Sequence, residues 1–516
     1  GLLTASMKQA KMPYETVFRA PLEIADGQAT ISWLNNNKGF QLDGRNIDVK
    51  AKAVHARGGF RYLQPANDEP WLGILAGIST DDGSQAWRYF PENLMGKDLV
   101  DYLSGAIQGG EADNATLVYG GNPQLFPYKH NEGQFEVLVP LRNAKFAFQP
   151  DWPALTNLDI ELDFINDGLW MKTDGVNLGG VRASNLTAVI PDYSKEKLLI
   201  DADIKGPGKA VGPYFDETPL KDSLGATLQE LQLDGDVNAR LHLDIPLNGE
   251  LVTAKGEVTL RNNSLFIKPL DSTLKNLSGK FSFINSDLQS EPLTASWFNQ
   301  PLNVDFSTKE GAKAYQVAVN LNGNWQPAKT GVLPEAVNEA LSGSVAWDGK
   351  VGIDLPYHAG ATYNIELNGD LKNVSSHLPS PLAKPAGEPL AVNVKVDGNL
   401  NSFELTGQAG ADNHFNSRWL LGQKLTLDRA IWAADSKTLP PLPEQSGVEL
   451  NMPPMNGAEW LALFQKGAAE SVGGAASFPQ HITLRTPMLS LGNQQWNNLS
   501  IVSQPTANGT LVEAQG

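Results

Sequence analysis

The chain has 516 residues, 49 of them Gly and 33 Pro, a formal net charge of −17 and no cysteine. A cysteine-free chain excludes disulfides, thiolate catalysis and Cys-based zinc sites. An acidic balance without any Lys/Arg run makes nucleic acid and anionic membrane surfaces poor partners for the exterior. No stretch approaches the ~18 apolar residues of a membrane-spanning helix, and the abundant turn formers predict many short strands.

From the N-terminus, residues 1–88 give a first β segment. Its most apolar window, Trp71 to Ile78, stops at the polar run Ser79-Thr80-Asp81-Asp82. Tyr89-Phe90 then introduces Pro91 to Gln108, where Leu94, Leu99, Leu103 and Ile107 recur on roughly one helical face. Tyr214-Phe215 introduces a second helical window, Pro219 to Leu231; Pro334 to Leu341 and the run Trp460, Leu461, Leu463 and Phe464 are two more. The chain is therefore expected to divide into 1–88, helix-plus-strand repeat units 89–212, 213–331 and 332–455, and the start of a further unit in 456–516. It opens at Gly1 without a signal peptide, and is expected to be a segment of a longer protein whose anchors lie outside it.

Two stretches carry the same text. Leu141-Arg142-Asn143, Pro150, Leu155, Asn157-Leu158, Phe164-Ile165-Asn166 and Leu169 recur without a gap as Leu260-Arg261-Asn262, Pro269, Leu274, Asn276-Leu277, Phe283-Ile284-Asn285 and Leu288. A long-period repeat implies units that cannot bury their apolar faces alone and stack on their neighbours.

Period-2 alternation dominates between the helices. Leu158, Ile160, Leu162 and Phe164 alternate with Asp159, Glu161 and Asp163, and Val237, Ala239, Leu241, Leu243 and Ile245 alternate with Asp236, Asn238, Arg240, His242 and Asp244. The pattern returns in Tyr315, Val317, Val319 and Leu321, in Tyr363, Ile365 and Leu367, and in Val392, Val394 and Val396. One apolar and one wet face is the antiparallel signature. Asp234-Gly235, Asn322-Gly323, Asn368-Gly369 and Asp397-Gly398 read as the turns between such strands, and Leu378 to Pro389 and Leu439 to Pro443 as connectors.

Sites of known chemistry do not assemble. The histidines are scattered, none paired at metal spacing, and His242 on its polar strand face is expected to be solvated or hydrogen-bonded. There is no Gly-x-Ser-x-Gly and no His-Glu-x-x-His. Gly206-Pro207-Gly208-Lys209 hints at a phosphate loop, but Pro207 lacks a donor and Ala210 stands where Ser or Thr would hold magnesium, so a plain turn is expected. Asp159, Glu161 and Asp163 stand ~7 Å apart on one strand face, a separation glycosidases can use. They oppose an apolar face, however, and solvent is expected around them. Trp152, Trp170, Trp297, Trp325, Trp347, Trp419, Trp432 and Trp496 show no cluster in the sequence and are expected to pack rather than to stack on sugars. No enzyme activity, metal or cofactor is expected.

What remains is the apolar face. With about half the residues in strands of about eight, roughly thirty strands at ~4.8 Å spacing would make a sheet ~140 Å long. An open sheet of that size exposes too much apolar surface. Sandwiches, barrels or a lengthwise gutter would cover it, and only the gutter leaves a continuous apolar groove. The expected fold is thus mainly β, an elongated repetitive antiparallel sheet curled lengthwise into a hydrophobic groove, with a few short helices. The alternating apolar residues named above, Ala239 excepted, are the candidate lining. Acyl chains suit such a wall because they need no directional partners.

Further residues carry a resemblance: Tyr89-Phe90-Pro91 with its helix and Gly109-Gly110; Leu243-Asp244-Ile245-Pro246-Leu247; and Leu277-Ser278-Gly279 with Phe281, Phe283 and Leu288. Leu293-Thr294-Ala295 with Gln300-Pro301-Leu302, and Ser376-His377-Leu378-Pro379-Ser380-Pro381-Leu382 with Lys384-Pro385, extend it. In their order, across essentially the whole chain, these resemble the AsmA-like family of Gram-negative envelope proteins. The resemblance implies a periplasmic β-groove, anchored to the inner membrane by a part absent here, that moves phospholipid between inner and outer membrane. It brings no catalytic residues. The competing expectation is a non-enzymatic periplasmic scaffold of closed sandwiches that maintains envelope integrity. A third, a carbohydrate-active enzyme, would rest on Asp159 and Asp163.

Overall fold

The computed structural model describes residues 1–14, 16–268, 271–331, 333–468, 476–506 and 509–516; Pro269 and Val332 lie outside them. The chain is mainly β, largely antiparallel, with a few short helices. It divides into two units: Gly1–Lys221 with Asp236–Val258 and Ser282–Asn285, and Asp222–Gly235 with Thr259–Phe281 and Ser286–Gly516.

The first unit is a meander in which each strand pairs with the next along the chain. Leu2–Met12, Leu22–Asn36, Gly39–Ala51, Val54–Pro65 and Trp71–Thr80 follow one another, and the last pairs with Ile107–Gly121. Gln134–Phe146, Leu155–Ile165, Gly168–Leu178, Val181–Ile190, Lys197–Pro207 and Asp236–Pro246 continue the series. The helical window predicted from Pro91 to Gln108 forms as two pieces, Glu92–Met95 and Lys97–Ala106. Gly96 separates them at φ +83°, a backbone state that glycine alone adopts cheaply. Leu99, Val100 and Leu103 of the longer piece are fully buried. They join Leu141, Leu158, Ile160, Leu162, Leu169, Met171, Ile190, Leu198, Ile200 and Ile245 in one core. The amphipathic helix therefore covers the apolar face of successive strands.

The repeated asparagines mark interruptions in the strands. Asn143 and Asn262, Asn157 and Asn276, and Asn166 and Asn285 all have φ between +49° and +54°. Asparagine tolerates this left-handed region better than other side-chain-bearing residues. Asn143 sits where the pairing of its strand shifts register between Leu141 and Ala144, as a β-bulge does.

In the second unit Leu293–Trp297, Gln300–Glu310, Ala314–Trp325, Val345–Pro356, Thr362–Asp370 and Ala391–Asn399 pair antiparallel in turn. Ser402–Ala409, Asn413–Leu420 and Leu425–Ala434 continue the meander. Parallel pairing then joins the antiparallel meander. Gly447–Asn451 lies parallel to Leu425–Ala434, and Ile482–Leu491 lies parallel to Gly447–Asn451. Parallel neighbours need long crossovers, which the segment around Leu439 to Pro443 and the helix Gly457–Ala468 provide. That proline-rich segment is tied down by side chains: Asn416 Nδ2 donates to the Pro440 carbonyl at 3.2 Å and Arg429 Nη1 to that of Pro443 at 3.3 Å.

The predicted turns need correction. Only Asp234-Gly235 interrupts strands. Asn322-Gly323, Asn368-Gly369 and Asp397-Gly398 lie inside Ala314–Trp325, Thr362–Asp370 and Ala391–Asn399. Two of their glycines, Gly323 and Gly398, make room for aromatic rings instead. A Cβ on Gly323 would stand 2.8 Å from Trp325 Nε1, and one on Gly398 2.5 Å from the Tyr363 ring. The dipeptide signal was read for its backbone freedom, whereas the position uses its missing side chain.

Candidate functional site

The alternation places apolar residues on one face of each strand, and none of the candidate lining residues is exposed. In the first unit Leu158, Ile160, Leu162, Val237 and Ile245 are buried, while Phe164, Leu241 and Leu243 are half-buried. Phe164 packs against Phe90 with ring centroids 6.3 Å apart. In the second unit Tyr315, Val317 and Leu321 are buried. Tyr315 donates its hydroxyl to the Ser286 carbonyl at 2.6 Å, which anchors it as a structural residue. Val319, Tyr363, Ile365, Leu367, Val392, Val394 and Val396 are half-buried.

Part of that half-buried surface frames a cleft of about 40 Å³ in the second unit. Val317, Val351, Ile353, Leu355, Tyr363 and Ile365 line it from three neighbouring strands. Leu231, Ile267, Ala361 and Leu400 complete the wall, and Glu230 is the one ionisable carboxylate that touches it. That carboxylate pairs with Lys268 Nζ at 3.1 Å. Burial pushes the Tyr363 hydroxyl pKa up, so it stays a neutral group. Apart from Glu230 and the Tyr363 hydroxyl, the lining side chains are aliphatic. Val351, Ile353 and Leu355 were missed in the sequence, although their alternation was as legible as that of Val317 and Val319.

A larger cavity of about 280 Å³ lies in the first unit, beside the Gly179-Gly180 turn. Leu155, Leu178, Pro213 and Tyr214 supply apolar wall, with Asn177 and Glu217 at its edge. Its Leu155 belongs to the first unit's core, and Leu178 packs against that core.

The carboxylates separate by role. Asp159 Oδ1 accepts the Asn143 backbone N–H at 3.0 Å, and Glu161 pairs with Lys172 at 2.8 Å. Asp163 is raised above the ordinary carboxylate range, chiefly by burial, then by Glu136 and Glu161, against an opposing pull from Lys172. His242 Nδ1 lies 2.8 Å from Asp201 Oδ1, as a hydrogen-bonded surface residue should. Gly206 and Pro207 end a strand and Gly208–Ala210 form a short turn, with no phosphate cradle around them. Among the described residues no three His, Asp or Glu side chains converge as a metal site.

The tryptophans, by contrast, do cluster. Trp325 lies 4.7 Å from Trp347 and 6.2 Å from Trp297, and Phe298 stacks on Trp297 at 4.7 Å. Sequence spacing hides this, because cross-strand pairing brings together residues some 20 to 30 apart. The indoles sit on the apolar faces at strand ends, and Trp297 and Trp325 donate to Ser272 Oγ and to the Pro301 carbonyl, each at 2.7 Å.

Among the described residues no helix is long and apolar enough to cross a membrane. A family model described as YhdP protein matches residues 1–516. No solved structure matches the chain.

Proposed function

Because the chain belongs to the YhdP family, we propose that it carries phospholipid between the inner and outer membranes, with acyl chains held passively against the apolar faces of its sheets. Membership supports a general role in lipid transport and a place in the periplasm within a membrane-anchored protein. The single observation that carries the finer reading is the cleft in the second unit, walled by Val317, Val351, Ile353, Leu355 and Ile365. Burying a methylene group against such a wall contributes about 0.8 kcal/mol, and no directional partner is needed. Head groups would stay near strand ends, where Lys268, Glu230 and the indole rims offer polar contacts.

The scaffold reading draws on the first unit, where Leu158, Ile160, Leu162 and Ile245 belong to a closed core. A scaffold of that kind would bind no lipid. Photo-crosslinkers along Val345–Pro356 in cells labelled with radioactive phosphate separate the two. Lipid transport requires label at Val351, Ile353 and Leu355 and little at Lys350 or Asp354. Label on neither face would sink lipid carriage and leave the scaffold.

A further inference from the structure

The apolar face that would serve lipid in the first unit already has an occupant. Leu99, Val100 and Leu103, all fully buried, lie in the same core as the candidate lining residues Leu158, Ile160, Leu162 and Ile245. Helix Lys97–Ala106 thus belongs to the core that those residues form, and it contributes the same aliphatic chemistry to it. A lipid that replaced it would exchange hydrocarbon contact for hydrocarbon contact at these positions, and would break the hydrogen bond that the Tyr102 hydroxyl donates to the Phe148 carbonyl at 3.1 Å.

Its attachments are of a different kind. Arg19 pairs with Glu92 and, at 2.6 Å, with Asp101 on the helix; Lys97 also pairs with Asp101. Asn93 Nδ2 donates to the Thr16 carbonyl at 2.6 Å, and the Glu92 backbone N–H donates to the Val17 carbonyl at 3.1 Å. These polar ties are part-exposed, and exposed ion pairs are weak and salt-sensitive. Glycines flank the helix on both sides: Gly96 at φ +83° before it, and Gly109-Gly110, with Gly110 at φ +131°, just beyond it. Between Ile107 and Thr116 the following strand shifts register repeatedly against Gln134–Phe146, as successive β-bulges do. Strong apolar seating, a weak polar latch and glycine joints together describe a part that can leave its seat.

We propose that helix Lys97–Ala106 is a displaceable plug: seated, it closes the apolar face of the first unit to acyl chains, and it opens on Gly96 and Gly109-Gly110 when the Arg19 latch releases. This rests on the lipid-carrier reading above. Lipid itself would be the displacing agent, because it binds only the open state.

The test uses the full-length protein in cells labelled with radioactive phosphate. Phe164→p-azidophenylalanine reports on the first unit and Tyr363→p-azidophenylalanine on the cleft of the second. Each probe is near-isosteric with the residue it replaces. Arg19→Ala releases the latch; Arg19→Cys with Asp101→Cys, joined by a short bis-maleimide, locks it, and these 516 residues hold no other cysteine to compete for the crosslinker. Expected is a rise in lipid adducts at position 164 in R19A of about two- to tenfold, the shift that two exposed ion pairs can supply, and their loss in the locked chain. Adducts at position 363 should remain in both. Equal adducts at 164 in free, R19A and locked chains would overturn the plug, and so would none at 164 in any chain while 363 is labelled. No adduct at 363 in any chain would instead overturn lipid carriage itself. Gly96→Ala, which places a Cβ residue at φ +83° and so strains the seated state alone, should raise adducts at 164; an unchanged yield there would also count against the plug.

Discussion

Asn166 grips the backbone of Phe135 from both sides: its own N–H donates to the Phe135 carbonyl at 2.9 Å, and its Oδ1 accepts the Phe135 N–H at 3.0 Å. Asn285 holds Ala254 in the same way, at 2.6 and 2.8 Å. Phe135 and Ala254 occupy matching places in the repeat, yet their side chains differ completely. Only the asparagine needs to recur, because it recognises backbone. The Asn143–Asp159 contact likewise returns as the Asn262 N–H donating to Ser278 Oγ at 2.8 Å.

Asn166→Ala should therefore be costly despite its small size. It strands the part-buried Phe135 N–H, at about 1 kcal/mol, and places a Cβ residue at φ +51° without asparagine's compensation. Asn166→Gly removes the same hydrogen bond but relieves the backbone, and should recover about 1 kcal/mol of the loss. Urea midpoints followed by tryptophan fluorescence give both values. If the alanine and glycine variants are equally stable, the left-handed backbone is not what selects asparagine here.

Most of the architecture was legible because alternation is a local property. The strands around Leu162, Ile245, Val319 and Ile365 appear where period-2 patterning put them, and the helix at Leu99 and Leu103 appears where its spacing did. What stayed hidden depends on contacts between distant residues. Nothing in the text says that the helix covers Leu158 but leaves Ile353 at a cleft, or that Trp297, Trp325 and Trp347 meet. The Asn-Gly signals misled for a related reason: a glycine's absent side chain is informative only when the ring above it is known.

Gly323 shows this most directly. A Cβ there would lie 2.8 Å from Trp325 Nε1 and 3.1 Å from the Pro301 carbonyl. Gly323→Ala should drive the indole off the strand, break its 2.7 Å hydrogen bond to Pro301 and disturb its contact with Trp347. Overpacking of this kind costs about 1–3 kcal/mol. Gly77→Ala, where nothing lies within 4 Å, is the control and should be neutral or slightly stabilising. The fluorescence spectrum should shift to the red in G323A alone; identical spectra would mean that the ring does not depend on the missing Cβ.

Asp163 sets a pH dependence of unusual sign for a carboxylate. Its folded pKa is raised, so the folded chain holds that proton more tightly than the unfolded one. Its contribution to stability is therefore fully present below the ordinary aspartate value of about 4 and falls as pH rises through the raised value. Asp163→Asn should stabilise the protein at pH 7, with the gain vanishing below about pH 4. Lys172→Met removes the opposing charge and should steepen the loss in the native background. Urea midpoints of the three chains across pH 3–8 decide it; a gain in D163N that persists at pH 3 would assign the effect to packing.

Leu162 and Ile353 look alike in the sequence, each an aliphatic residue in an alternating strand, yet they should fail in opposite ways. Leu162 lies 3% exposed in the core beneath the helix, where a carboxylate finds neither water nor a partner. Leu162→Glu should cost more than about 4 kcal/mol, the range reserved for buried unpaired charge, and the first unit should lose its fold. Ile353 borders the cleft of the second unit and is half-buried, so a glutamate there can turn toward solvent. Ile353→Glu should leave the urea midpoint within about 2 kcal/mol of the native chain while abolishing phosphate label in the second unit. The pair separates stability from binding because one apolar face is occupied by protein and the other is not. A folded I353E chain that still carries lipid would leave the cleft as packing space, and a folded L162E chain would mean that the helix does not seal its strands.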